Sequence, residues 1–395
     1  MSSSPYVRVA ISASHIRHSN RQTCVGIAAY ARTLPNWRLT LFERDESERA
    51  DLSSFDGFIW DVFDERTARR LAQTGKPVID MTNEGVFPGT VAVMADHIGC
   101  GQLAARHFLT RHLAHFAFCG WKGLNFSEAR ERSYRRALEL NHYGCDVFLA
   151  RAAELKKFAN EVVERLAYPT YAKSLANWLR RLPKPVGVFC ANDLMAWQVV
   201  EVCMRSGLSV PGEIAVLGAD NDTLPCLFSS VPISSVNTSP VEIGRWAAQT
   251  LDELMRGVRR MQDGTVRVKP IGVETRLSSA TYPLDPPWLA DALTFIRSGV
   301  VRALSSADVV AHVGLSASTV EHAFKRVIGR TIQKEITEAR LDEAEHLLLS
   351  TSLSLQEIAA RTGFRSQQYF CNCFHRRNGV SPGAWRSSVD ADICK

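Results

Sequence analysis

A chain of 395 residues is long enough for two or three domains, and 46% apolar with 22% charged residues is the make-up of a folded globular protein, which excludes a disordered or fibrous one. The net charge of +6 is too small to argue for nucleic acid by itself, since from Trp288 onward 13 Lys and Arg stand against 11 Asp and Glu. The N-terminus MSSSPYVRVAISASHIRHSN lacks the apolar run of a secretory signal and no stretch approaches eighteen apolar residues, so a cytoplasmic protein without a membrane span is expected. Ten cysteines are scattered without a C-x-x-C pair. Reduced, packed thiols are the expectation, and neither a metal nor another cofactor is implied.

Residues 6–277 alternate short apolar runs with amphipathic stretches. VRVAIS (7–12), FIWDV (58–62), PVIDM (77–81), FAFCG (116–120), VGVFC (186–190) and IAVLG (214–218) carry no alternation, as strands covered on both faces do. They predict doubly wound parallel sheets, and the length predicts two such lobes, divided near Leu113–Phe116 and rejoined near Ser235–Pro240. A cleft between lobes, lined by the carboxyl ends of strands, is the natural ligand site. Polar residues stand at those ends: Asn192 and Asp193 follow one strand, Asp220, Asn221 and Asp222 the next, and Arg130 lies in EARERSYRRAL. Asp193 and Asp222 read as helix caps. Arg130 and Asp220 read as cleft residues, because a guanidinium and a carboxylate can each engage two adjacent hydroxyls. Trp60, Phe87 and Trp121 are the aromatic candidates for one wall.

The Ser- and Pro-rich stretch 278–287 reads as a linker. Beyond it, 288–387 predicts an all-α domain with two helix-turn-helix units, about 306–328 and about 354–378. In the second, Ser354 caps a short helix with Ile358 and Ala359 inward, and Gly363 turns the chain. Phe364, Phe370 and Phe374 then share one buried stripe, while Gln367, Gln368, Cys371 and Asn372 lie on the opposite, outward face. The first unit repeats this: Ala311 and Gly314 are spaced like Ala360 and Gly363, and Phe324 and Gly329 lie 50 residues before Phe374 and Gly379. Between them Ile332–Leu349 predicts a connector helix with Ile336, Leu341, Ala344 and Leu348 inward and Glu335, Glu338, Asp342 and Glu345 outside. About sixteen helical residues span roughly 24 Å. With the widths of both units added, the two readers are spaced near one DNA turn, roughly 34 Å. Lys325, Arg326 and Arg330, and His375, Arg376 and Arg377, close the two second helices, where they serve either as phosphate contacts or as cations at helix C-termini.

On Gly363, Phe364, Tyr369, Phe370, Phe374, Gly379, Ser381, Pro382, Trp385 and Arg386, the segment resembles the AraC/XylS DNA-binding domain. The resemblance implies base-facing positions at Ala317, Ser318, Glu321 and His322 in the first unit and Gln367, Gln368, Cys371 and Asn372 in the second. Of the cations clustered at the helix ends, Lys325, Arg326, Arg376 and Arg377 are the phosphate candidates. His322 and Ala323 depart from the Arg the family often carries there. Residues 6–277 resemble the periplasmic-binding-protein-like sensor of LacI/GalR regulators, on Asp96 with HIGCGQLAARHFL, CANDLMAW, GADND and Val210–Gly212. That likeness carries the family's sugar-binding Arg, Asn and Asp onto Arg130, Asn192 and Asp220, while Thr238 stands where these sensors commonly have Gln.

A sensor of one family ahead of a reader of the other implies a sugar-responsive transcription regulator of pentose catabolic genes, most simply an activator. Its expected partners are a double-stranded DNA operator, D-xylose or a related aldose, a second copy of the chain and RNA polymerase. The alternatives are a repressor, a regulator answering to another small ligand, or a sugar-modifying enzyme with an appended DNA-binding domain. The last finds no GxxxxGK, nucleophile elbow or metal spacing to support it.

Overall fold

The structure, a computed structural model, describes residues 6–13, 18–43, 46, 49–62, 64–82, 87–151, 169–260, 264–280, 286–299 and 304–391. The chain opens with β1 (Val7–Ser12), α1 (His18–Ala31), β2 (Trp37–Phe42), β3 (Gly57–Trp60), α2 (Glu65–Ala72), β4 (Val78–Asp80) and β5 (Val91–Ala95). It continues through α3 (His97–Leu109), β6 (His115–Lys122), α4 (Asn125–Glu139), β7 (Asp146–Arg151), α5 (Pro169–Arg181), β8 (Val186–Cys190), α6 (Asp193–Arg205), β9 (Ile214–Ala219), α7 (Thr223–Phe228) and β10 (Ser234–Asn237). α8 (Pro240–Met255), β11 (Val266–Val268) and β12 (Gly272–Glu274) complete the sensor.

Two six-stranded sheets result, ordered β11-β5-β4-β3-β1-β2 and β12-β10-β9-β8-β6-β7. Every pairing is parallel except β10 with β12. The unbroken apolar runs read from the sequence are these strands, fully buried in β3, β8 and β9. The chain leaves the first lobe a helix earlier than the expected Leu113–Phe116, because α3 packs against α4 of the second lobe. It returns after β10, at the expected Ser235–Pro240, and α8 then packs along α1. Their approach is backbone to backbone: a Cβ on Gly244 would stand 1.9 Å from the carbonyl of Thr23. A third crossing, between β11 and β12, and the strands β2, β5, β7, β10, β11 and β12 were not among the runs read, although β5, VAVMA, is itself an unbroken and fully buried apolar run.

The expected linker is shorter than read. Ser278 and Ser279 form a 3-10 turn with Leu277 and are fully buried in the second lobe, where the Ser278 hydroxyl donates to the carbonyl of Val216 at 2.7 Å. Residues 281–285 of it lie outside the described residues.

The C-terminal region is α9 (Pro287–Ser298), α10 (Ser306–Val313), α11 (Ala317–Ala323) prolonged by a wider turn Phe324–Ile328, α12 (Ile332–Ser350), α13 (Leu355–Arg361), α14 (Gln367–Asn378) and α15 (Pro382–Ala391). It has two small cores. One gathers Leu293, Ile296, Val309, Val320, Phe324 and Ile332; the other gathers Leu348, Ile358, Phe364, Phe370 and Phe374. α12 feeds both, with Ile336 and Ala339 in the first and Leu341 and Ala344 in the second.

Candidate ligand cleft and DNA-reading face

In the second lobe, β8 and β9 end side by side and their following residues converge on α4. Arg130, 2% exposed on α4, donates through Nη2 to Asp220 at 2.7 Å and through Nη1 to the carbonyl of Ala191 at 2.6 Å. The opposed charges more than offset the burial of the guanidinium and keep Arg130 firmly protonated. Asp220 is held by an unusual backbone: its φ is 99° and that of Asn221 is 50°, in a region L-residues seldom enter. Asn221 is fixed by its own partners, with its N–H donating to Ser235 Oγ at 2.9 Å and its Oδ1 accepting from Arg276 at 2.8 Å.

Asn192, not Asp193, caps α6: its Oδ1 accepts from the N–H of Met195 at 3.0 Å, which leaves the amide NH2 for another acceptor. Asp193 sits one residue inside the helix, 1% exposed, with Oδ2 accepting from the N–H of Asp222 at 2.7 Å. Burial, then the neighbouring Asp220, push its carboxyl well above the usual range. Asp222 caps α7 as read.

Trp60 is 2% exposed against Phe58 and Phe42, Trp121 lies in the core of the second lobe, and Phe87 packs beside the Trp60 cluster. Sequence reading missed Phe126, beside Arg130, and the His97 ring packed on it. The Arg130 guanidinium lies 5.5 Å from the Phe126 ring centre, and His97, the first residue of α3, packs against Phe126. The spacing Phe126 to Arg130, one helical turn, was the available signal. Burial and the charges of Arg130 and Arg267 hold the His97 imidazole well below its usual range and therefore neutral. Arg130 Nε and His97 Nδ1 are buried without a hydrogen-bond partner among the described residues.

The two helix-turn-helix units are built alike. Ser305 and Ser354 form capping boxes with Asp308 and Glu357 at the starts of α10 and α13. Gly314 and Gly363 turn the chain at φ 71° and 72°, and Ser316 and Ser366 cap α11 and α14. Ala317, Ser318, His322, Gln367, Gln368 and Asn372 are exposed, and Glu321 and Cys371 half-buried. Gln368 Nε2 donates to Asn372 Oδ1 at 3.3 Å, which joins two of the outward amides.

Of the four cations assigned to phosphates, Lys325, Arg326 and Arg376 are exposed. Arg377 is not: it turns back onto α12 and meets Glu345 at 2.5 Å, Asp342 at 2.9 Å and Glu338 at 3.4 Å. Arg330 likewise meets Glu335 at 2.7 Å. The expected solvated face of the connector is thus covered, with Glu335 fully buried and Glu345 8% exposed. A single-helix pattern cannot tell a solvated acidic stripe from one matched by guanidiniums of other elements.

Among the described residues no helix is long and apolar enough to cross a membrane. A family described as a periplasmic binding protein-like domain matches residues 105–279, and one described as a helix-turn-helix domain matches residues 309–388. The xylose operon regulatory protein of Haemophilus influenzae is 26% identical over 392 residues, covering 96% of this chain and 98% of its own; that of Escherichia coli strain K12 is 27% identical over 386 residues, covering 95% of each. The solved structure of the xylose-binding transcription activator xylR is similar over 96% of this chain and 97% of that one, with a TM-score of 0.60 and 25% identity. The chain is therefore a DNA-binding transcription regulator, with a periplasmic-binding-protein-like sensor followed by an AraC-type pair of helix-turn-helix units, and is homologous along its length to the xylose operon regulatory proteins.

Proposed function

We propose that the cleft binds a free aldose, D-xylose or a related pentose, and that its occupancy changes how the paired reader engages an operator upstream of pentose catabolic genes. The observation that carries this reading is the Arg130–Asp220 pair at the strand ends, with the buried Arg130 Nε and His97 Nδ1 left without hydrogen-bond partners among the described residues. Adjacent sugar hydroxyls both donate and accept, so one ligand satisfies guanidinium, carboxylate, neutral imidazole and the Asn192 amide together. Phe126 offers an apolar ring for the C–H face of such a sugar. The protein acts in the cytoplasm as a homodimer on repeated half-sites and activates by contact with RNA polymerase. In the reader, Gln367 and Gln368 supply bidentate amides for adenine, and Lys325, Arg326 and Arg376 hold phosphates.

A calorimetric screen of pentoses and hexoses, run beside operator affinity and transcription, tests it. One aldose is expected to bind and to shift operator affinity, and both Arg130→Ala and Asp220→Ala are expected to abolish the binding. A sugar that binds while operator affinity and transcription stay unchanged overturns the scheme. Gln367→Ala and Gln368→Ala are each expected to weaken cognate binding by roughly 1–3 kcal/mol and to leave random DNA nearly untouched.

A further inference from the structure

One charged side chain of the sensor is placed between two carboxylates of the reader. Arg106, on α3, donates to Asp342 at 2.7 Å and to Glu345 at 2.8 Å, both on α12. The reader alone leaves that face short of a cation. Glu335, Glu338, Asp342 and Glu345 line it, and its own guanidiniums there are Arg297, Arg330 and Arg377. Arg106 is the fourth, and it comes from the other domain.

The same helix begins at the ligand cleft. His97, its first residue, packs against Phe126, the Cys100 thiol lies beside the Arg130 guanidinium, and a Cβ on Gly101 would stand 2.8 Å from the carbonyl of Arg130. From Cys100 to Arg106 is six residues of helix, roughly 9 Å. At its far end His107 meets Ser279 Oγ at 2.7 Å and Arg111 donates to the carbonyl of Ser279 at 3.0 Å, which ties α3 to the last turn of the sensor before the reader begins. Beside Arg106 lies a cavity of about 200 Å³ bordered by Thr110, Arg297 and Asp342, so the contact adjoins open space and has room to shift.

We propose that α3 is the rigid lever joining the two sites, and that Arg106 is the positioning residue through which it sets the orientation of the DNA reader. Ala317, Ser318, His322, Gln367, Gln368 and Asn372 stay exposed while this contact is made, so it governs how the two units are aimed and does not cover those residues. Ligand that pulls on Arg130 displaces α3 against α4, and the displacement reaches α12, the helix shared by both reader cores. The coupling arm rests on the sugar reading above; the docking arm does not.

The test uses the full chain as wild type, Arg106→Ala and Arg106→Lys, with D-xylose as probe and operator affinity measured with and without it. Wild type is expected to change operator affinity about fivefold or more on adding sugar, and Arg106→Ala to bring that ratio to within about twofold of one, with sugar Kd within about threefold of wild type. Arg106→Lys, which keeps the charge but cannot bridge two carboxylates in the plane of a fork, is expected to fall between them. An unchanged ratio in Arg106→Ala overturns the lever. If D-xylose shifts nothing in wild type, the sugar reading is what fails, and scanning calorimetry of the same proteins decides the docking. Arg106→Ala is then expected to split off a separate, lower reader transition, and superimposable traces overturn the contact as a determinant of orientation.

Discussion

At the scale of single residues, two consecutive positions of positive φ, Asp220 and Asn221, mark the candidate ligand site. A non-glycine residue in such a conformation costs about 1–3 kcal/mol, and it persists where its surroundings over-determine it. Here they do: Asp220 is clamped by Arg130, and Asn221 by Ser235 and Arg276. Asp220→Ala takes the charged partner from a guanidinium that is 2% exposed and leaves it the uncharged Ala191 carbonyl, Cys100 thiol and Phe126 ring. The expected loss in stability is about 3 kcal/mol, read from the denaturant midpoint, with a smaller loss for Asp220→Asn, which retains an acceptor. Asp193 gives a prediction of opposite sign. The native state holds a proton that the unfolded chain releases near pH 4, so the native state is penalised as pH rises above that value, by up to about 1.4 kcal/mol per unit until the raised native pKa is reached. Asp193→Asn keeps an oxygen for the Asp222 N–H and removes the titration. It is expected to be more stable than wild type at pH 8 and to flatten stability between pH 5 and 8 (urea titrations across that range), and a parallel pH profile refutes it.

At the scale of elements, the reader shows why its repeat was visible in the sequence. Local chemistry fixes each part: a Ser cap with an acidic residue three positions on, a glycine at positive φ, a second Ser cap, and Phe at helical spacing. None of these depends on distant residues. Ser354→Ala and Ser305→Ala are each expected to cost about 1 kcal/mol, and Gly363→Ala, forced into a left-handed turn, about 1–2 kcal/mol, with operator binding falling in step with the folded fraction. Loss of binding without loss of helix signal would instead assign these residues to DNA contact. The sheets were half legible for a related reason. Strands buried on both faces are continuous apolar runs, whereas β2, buried only at Trp37, and three-residue β11 resemble loops until a neighbouring strand pairs with them.

Across the whole molecule, the acidic stripe of α12 is the clearest departure from the sequence reading. Glu335, Asp342 and Glu345 were expected in water, and instead they meet arginines from α9, α14 and the sensor. A second sensor contact lies nearby: His346 Nε2 approaches Glu274 of β12 at 3.5 Å. The hydrogen bond to Glu274, with Glu343 adding to it, raises the imidazole above its ordinary range, and the bond to His346, with Arg276 adding to it, lowers the Glu274 carboxyl. The histidine's share is present below about pH 6.5 and is lost as pH rises through its raised native value; the glutamate's is present above about pH 4.3 and is lost as pH falls through its lowered one. Docking is therefore strengthened most between those limits. Both groups are about a third exposed, so the effect is expected to stay under about 1 kcal/mol. The thermal shift between wild type and His346→Gln is expected to shrink from pH 6 to pH 8, and a constant difference counts against a charged contact.

The sequence by itself determined the class of each domain, the doubled reader with its outward amides, and the residues at the ends of β8 and β9, because burial period, caps and turn glycines act over a few residues. It did not determine where the chain first changes lobe, which residue caps α6, which ring lies beside Arg130, or that the acidic face of α12 is matched by four guanidiniums from outside that helix. Those were decided only by tertiary structure, for one physical reason. The partner of a charge or a ring lies far along the chain, and Arg106 and Asp342, 236 residues apart, become neighbours only when the sensor and reader dock.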